Sequence, residues 1–245
     1  MAALAILLSP LRAAVGFALP PRCPGCGLVV DGDHRFCADC WGRLDWLAGP
    51  ACGQCAVRLP HAGADRCARC MADPPAFDVA RAAVAYGPLA RDLVLKLKYG
   101  RRPGLAHTFA RLMTSPGADE RDRLVVPVPL HRWRLWRRAY NQAGLIGRAL
   151  AGRAGAQFSP DLLQRVKPTP VLRGMGPRAR RDAVRGAFRV NDGVRLDGKR
   201  ILLVDDVFTT GSTAHACARA LKRAGAAHVE VRVWARVLRD DPGEF

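Results

Sequence analysis

From Phe77 onward, short apolar runs alternate with Arg-rich amphipathic stretches. The run Phe77 to Tyr86, FDVARAAVAY, reads as a strand, and Leu89 to Tyr99 and Gly104 to Met113 carry apolar residues at helical spacing. Leu124 to Leu130 (LVVPVPL) is short and continuous, as a buried strand requires, and Tyr140 to Gly152 is again helical. Arg200 to Asp206 (RILLVDD) reads as a second buried strand, Ser212 to Ala224 as a helix, and His228 to Val237 as a closing strand. Strands alternating with helices predict an α/β domain, with a mostly parallel sheet and helices on both faces. Val166 to Arg185 breaks the rhythm; its Gly, Pro and Arg content predicts a mobile loop running into a short helix.

The front of the chain has a different texture. Leu4, Leu8, Leu11 and Val15 recur at helical spacing and predict a short amphipathic helix packed on the body of the protein. No Lys or Arg precedes this apolar stretch, and Pro10 and Arg12 interrupt it. It therefore fits neither a signal peptide nor a bilayer span, and stable membrane insertion is not expected. Asp73-Pro74-Pro75 is a stiff joint, so the expected division is residues 1–75 and residues 76–245.

Eight of the nine cysteines lie in the front part, as Cys23-x2-Cys26, Cys37-x2-Cys40, Cys52-x2-Cys55 and Cys67-x2-Cys70. A CxxC turn aims two thiolates at one ion, and two such turns close a tetrahedral zinc site with no open position for chemistry. Two structural Zn2+ sites are expected, and the array looks like a duplicated ribbon. Pairing of consecutive turns is simplest; interleaved pairing is the alternative. Four disulfides would need a secreted protein, whereas reduced, metal-binding cysteines favour the cytoplasm. The segment has few large apolar residues beyond Trp41, Trp46 and the N-terminal cluster, so metal binding is expected to supply much of its folding free energy. Cys217 is expected to be a buried apolar residue.

Charge sharpens the contrast. The net charge is +18, but residues 1–75 contribute only +1, from 7 Arg against 6 Asp. The remaining +17 makes the C-terminal part attractive to phosphate-bearing partners, although Arg outnumbers Lys 34 to 5 and compositional bias could account for part of it.

The chemistry concentrates in Ile201 to Thr213 (ILLVDDVFTTGST). Four apolar residues are followed by paired acids at the end of a predicted strand, where ligands bind in parallel α/β sheets. Hydroxyl residues around a glycine then open a helix, and the free N–H groups there suit a phosphate monoester. The acids suit the two hydroxyls of a ribose and could approach Mg2+. The lysine of a Walker loop and the glycine spacing of a dinucleotide fingerprint are both missing.

This segment resembles the phosphoribosyl-pyrophosphate motif of type I phosphoribosyltransferases. Nearly the whole chain resembles the ComF/GntX family, which joins a double zinc ribbon to such a domain. The likeness also rests on the cysteine array, Leu97-Lys98-Tyr99-Gly100, Pro127-Val-Pro129-Leu130, Arg138-Ala-Tyr140-Asn141-Gln142, Thr169-Pro170, Arg180 and Gly186-Ala-Phe188. The resemblance implies that Asp205 and Asp206 hold the ribose hydroxyls. It implies a phosphoribosyl-binding run of Asp205, Asp206, Val207, Thr209, Thr210, Gly211, Ser212 and Thr213, with Thr209 to Thr213 cradling the 5′-phosphate. It also implies Mg2+ with phosphoribosyl pyrophosphate, and a role in natural competence and the use of single-stranded DNA. Two alternatives are a nucleobase-salvage transferase and a non-enzymatic DNA-processing adaptor that retains the phosphate loop. The chain departs from the family pattern at Ala139-Tyr140, Val171-Leu172 and Ala183.

Displacing pyrophosphate from an anomeric carbon needs cations on the leaving group. Arg138 and Arg180 are the expected catalytic partners of the two acids, with Arg137, Arg178, Arg181 and Lys98 as further candidates. No segment reads as a base-binding hood; the zinc ribbons or Tyr86 to Tyr99 would have to supply one. His131 to Arg138 (HRWRLWRR) interleaves cations with indoles, a composition that suits single-stranded nucleic acid. Trp133 and Trp136 stand three apart, which favours a helix with both indoles in the core.

Overall fold

The computed structural model describes residues 20–59, 65–114, 119–167 and 177–238. The expected N-terminal helix lies outside these residues.

The front part is two copies of one small unit. Arg22 pairs with Val29 and Ala51 with Arg58, each bridge framing a CxxC turn. Each unit ends in a single helical turn, α1 (Ala38–Gly42) and α2 (Ala68–Ala72), which carry Cys40 and Cys70.

The rest follows in chain order as β1 (Val79–Ala85), α3 (Pro88–Tyr99), α4 (Leu105–Met113), β2 (Arg123–Pro127), α5 (Arg132–Arg138) and α6 (Gln142–Ala154). Then come β3 (Gln157–Phe158), β4 (Leu163–Arg165), α7 (Pro177–Val184), β5 (Phe188–Val190), β6 (Arg200–Phe208), α8 (Ser212–Arg223) and β7 (His228–Arg236). Five strands form one sheet in the order β1-β7-β6-β2-β3, every pair parallel. β4 and β5 make a separate antiparallel pair that the apolar pattern, being only three residues deep there, does not announce.

β6 and β7 sit in the middle and are apolar on both faces because helices cover both. On one face α3, α4 and α6 pack around Leu202, Val204 and Trp234, whose indole stacks on Phe109 at 4.3 Å. On the other, α7 and α8 cover Ile201, Leu203 and Val231, and Cys217 is fully buried among them as expected. One ionic cluster interrupts this core: Arg232 pairs with Glu120 at 2.6 Å and with Glu230, and all three are buried.

β1 is an edge strand, and an unpaired edge invites aggregation. The ribbons cover it. Trp46 bridges Val84, Leu47 N–H donates to Ala83 O at 3.2 Å, Ala85 N–H to Asp45 O at 2.7 Å, and Ala80 N–H to Gln54 O at 2.7 Å.

Candidate functional site: two cysteine clusters and a phosphate loop

Cys23, Cys26, Cys37 and Cys40 form one cluster and Cys52, Cys55, Cys67 and Cys70 the other, with the four sulfurs of each within 4.8 Å of one another. Consecutive turns therefore pair, and the interleaved alternative is excluded. A Zn–S bond of about 2.3 Å implies tetrahedral S···S edges of about 3.8 Å. Cys26 and Cys37 sulfurs lie 3.6 Å apart, and Cys55 and Cys67 sulfurs 3.7 Å apart. Burial pushes the Cys23 thiol up, but the backbone N–H groups of Cys26, Cys37 and Gly25 outweigh it and hold it at about 6. Cys52 is likewise held at about 6, against burial, by the N–H groups of Cys67, Cys55 and Gln54. Amides converging on a sulfur stabilise a thiolate, the form that zinc binds.

In the central sheet, β6 runs two residues further than the sequence pattern indicates, through Asp205 and Asp206 to Phe208. The acids are thus inside the strand and not at its end, and alternation sends their side chains to opposite faces. Asp206 is buried and meets Lys98 of α3 at 2.8 Å. Burial lowers the Lys98 pKa, but the Asp206 carboxylate beside it prevails and raises it. Asp205 accepts the N–H of Asp206 at 2.9 Å. Burial, with the Asp206 charge adding to it, pushes the Asp205 carboxyl up to about 7.

Thr209, Thr210 and Gly211 then turn the chain into α8. Gly211 has φ +78°, and a Cβ there would stand 2.6 Å from Phe208 Cζ, so only glycine fits this turn. The hydroxyls of Thr210 and Ser212 lie 2.9 Å apart. Ser212 and Thr213 begin α8, whose first N–H groups have no acceptor within the helix. Hydroxyls and amides therefore meet at one spot, a few residues beyond the paired acids.

The Arg138-Ala-Tyr140-Asn141-Gln142 run braces this end of the sheet. Arg138 donates to Tyr99 OH at 2.8 Å and to Gln142 Oε1 at 3.2 Å, and its guanidinium lies 4.9 Å from the Tyr99 ring centre. Tyr140 OH donates to Leu97 O. Asn141 caps α6 by accepting the Ala143 N–H and donates to Val128 O at 3.0 Å. The small residue at 139 is used too: Ala139 takes φ +65° between α5 and the Asn141 cap.

Lys98 thus meets Asp206, and Arg138 holds the neighbouring Tyr99. Arg180 falls in α7, but its side chain, like those of Arg137, Arg178 and Arg181, lies outside the described residues, as do Thr169, Pro170 and the body of the loop expected there. The expectation for Trp133 and Trp136 is overturned: they are 64% and 80% exposed. The spacing put both on one helical face, but α5 turns that face to solvent.

The composition gave no sign of the second ribbon's attachment to the phosphate loop. Arg69 of α2 donates to Thr210 O at 2.9 Å, and Arg236 of β7 stacks on Phe208 at 4.6 Å and donates to Cys55 O. Between ribbon and loop lies a cavity of about 530 Å³, lined among others by Val57, Phe77, Phe208, Thr210 and Arg236. The second ribbon supplies one wall of this cavity and the Thr209 to Ser212 turn another.

Residues 14–71 match the family model of the double zinc ribbon domain, and residues 153–241 that of the phosphoribosyl transferase domain. The chain is 32% identical over 229 residues to the DNA utilization protein YhgH of Escherichia coli, covering 90% of this chain and 99% of that one. It is 29% identical over 222 residues to competence protein F of Haemophilus influenzae, covering 87% and 95%. Glutamine phosphoribosylpyrophosphate amidotransferase from B. subtilis overlays on 53% of this chain and 25% of its own, at 22% identity and a TM-score of 0.32. Fold, clusters and family models define a phosphoribosyltransferase-type sheet preceded by a double zinc ribbon, whose two four-cysteine clusters fit zinc. Within that class, the chain belongs to the ComF/GntX family. No helix among the described residues is long and apolar enough to cross a membrane.

Proposed function

We propose that this protein binds phosphoribosyl pyrophosphate with Mg2+ at the β6–α8 turn and acts in the uptake and use of single-stranded DNA. The observation that carries the first half is the juxtaposition of Asp205 and Asp206 with the Thr209 to Thr213 turn, with Lys98 at 2.8 Å from Asp206. In this reading the two carboxylates accept the ribose hydroxyls. Val207 carries the strand from the acids to the turn, and Thr209, Thr210, Gly211, Ser212 and Thr213 take the 5′-phosphate through amides and hydroxyls. Asp205 and Asp206 are the groups that would hold Mg2+ near the ligand, where its charge would offset that of the pyrophosphate. Arg138 and Arg180 are assigned to the pyrophosphate, the group that leaves when an acceptor attacks the anomeric carbon. The functional division falls at residues 75 and 76, and the protein works in the cytoplasm, where its thiolates stay reduced.

The second half rests on the relatives, a DNA utilization protein and a competence protein, and on the basic charge of the C-terminal part. The test of the first half is calorimetric titration with phosphoribosyl pyrophosphate and Mg2+. The wild type binds one equivalent and Asp205→Asn abolishes the heat. Equal binding by both would refute the assignment.

A further inference from the structure

α5 carries the most exposed indole of the protein. Trp136 is 80% and Trp133 64% exposed, and among the described residues neither ring stacks on another. Leu135 between them is exposed as well, and so are Leu95 and Tyr99 on α3. The two elements are joined, because Arg138 at the end of α5 donates to Tyr99 OH and lies over its ring. Other exposed apolar side chains, such as Leu28, Val29 and Met71, belong to the ribbons. A patch of this kind on a folded chain marks a binding surface.

Its charge selects the occupant. Arg132, Arg134, Arg137 and Arg138 lie within seven residues, and no Asp or Glu occurs from Arg123 to Pro160. A protein partner with an apolar face would need no such excess of cations; a polyanion does. Duplex bases are already stacked on each other and gain nothing from an indole, whereas unstacked bases do. α5 is about 10 Å long at 1.5 Å per residue, room for two or three nucleotides. The patch begins at Tyr99, next to Lys98, and so borders the cleft that holds Asp206.

We propose that α5 and Tyr99 form a stacking platform for single-stranded nucleic acid along the rim of the phosphoribosyl cleft, with Arg132 on the phosphates and Trp133 and Trp136 against successive bases. This rests on the nucleic-acid half of the proposed function and supplies its surface.

The test uses the full-length zinc-loaded protein, a fluorescein-labelled oligo-dT, the same length of duplex, and phosphatidylglycerol vesicles. The wild type binds oligo-dT at low salt, more tightly than duplex, with quenching of indole fluorescence. W133A/W136A loses about tenfold in affinity per indole. Its zinc content, urea midpoint and phosphoribosyl-pyrophosphate binding stay at wild-type values, because both side chains are solvent-facing. Oligo-dT binding that the double variant retains in full would overturn the platform and leave the DNA reading standing. Failure of the wild type to bind oligo-dT would remove both, and vesicle binding without oligo-dT binding would assign the patch to a membrane surface instead.

Discussion

The Lys98 ammonium sits 2.8 Å from the Asp206 carboxylate at the end of the central strand. α3 begins after the edge strand β1, yet its last turn ends over β6, two strands away. Removing one partner would leave the other charge buried and unpaired. Lys98→Met should therefore cost about 1–3 kcal/mol of stability, less than a fully buried pair because the lysine keeps some solvent contact. Urea unfolding at pH 7.5 checks this, and an unchanged midpoint would mean the pair is not held in solution.

At Asp205, burial with the Asp206 charge adding to it raises the carboxyl to about 7. Between about pH 4 and about 7 the folded protein keeps a proton that the unfolded chain has released. Folding is then favoured at the acid end of that window, and this contribution declines as pH rises, levelling off above the folded pKa. Unfolding free energies of wild type and Asp205→Asn, measured at pH 5 and pH 8, should differ accordingly. The wild type loses stability relative to the variant as pH rises, and a difference of the opposite sign would contradict the assignment.

Gly211→Ala tests the turn itself. An alanine at φ +78° also brings its methyl within 2.6 Å of a ring held between Phe77 and Arg236. The expected loss is about 1–3 kcal/mol of stability, with weaker ligand binding as the amides shift. A variant with wild-type melting and binding would show that the turn tolerates a side chain.

What could be read in advance follows from where the information is local. The buried runs at Leu124 and Arg200 and the apolar spacing of α3, α4, α6 and α8 each declare one element, and CxxC turns declare their own ligands. Asp205 to Thr213 was legible because strand, acids, glycine and helix start are contiguous. The β4–β5 pair was not, since strands of three residues have too few positions to alternate. The exposure of Trp136 was hidden because spacing fixes which residues share a face and not where that face points. The contacts of Arg69 with Thr210 and Arg236 with Cys55 join residues 141 and 181 positions apart, beyond the reach of any local pattern.

Those long-range contacts tie the second ribbon to the Thr209 to Thr213 turn. The purified protein should carry two zinc ions per chain by elemental analysis, one for each cluster. Cys70→Ser should drop the count by one and lower the affinity for phosphoribosyl pyrophosphate, because Arg69 then loses its hold on Thr210. Arg69→Ala should weaken binding in the same direction with zinc content intact. Undiminished affinity in both variants would separate the ribbon from the loop.

The most direct measurement is a crystal structure of the protein soaked with phosphoribosyl pyrophosphate and Mg2+. The account predicts ribose hydroxyls on Asp205 and Asp206, the 5′-phosphate on the amides and hydroxyls of Thr209 to Thr213, and the pyrophosphate toward Arg138. A ligand bound elsewhere, or a cleft left unfilled at saturating concentration, would contradict it.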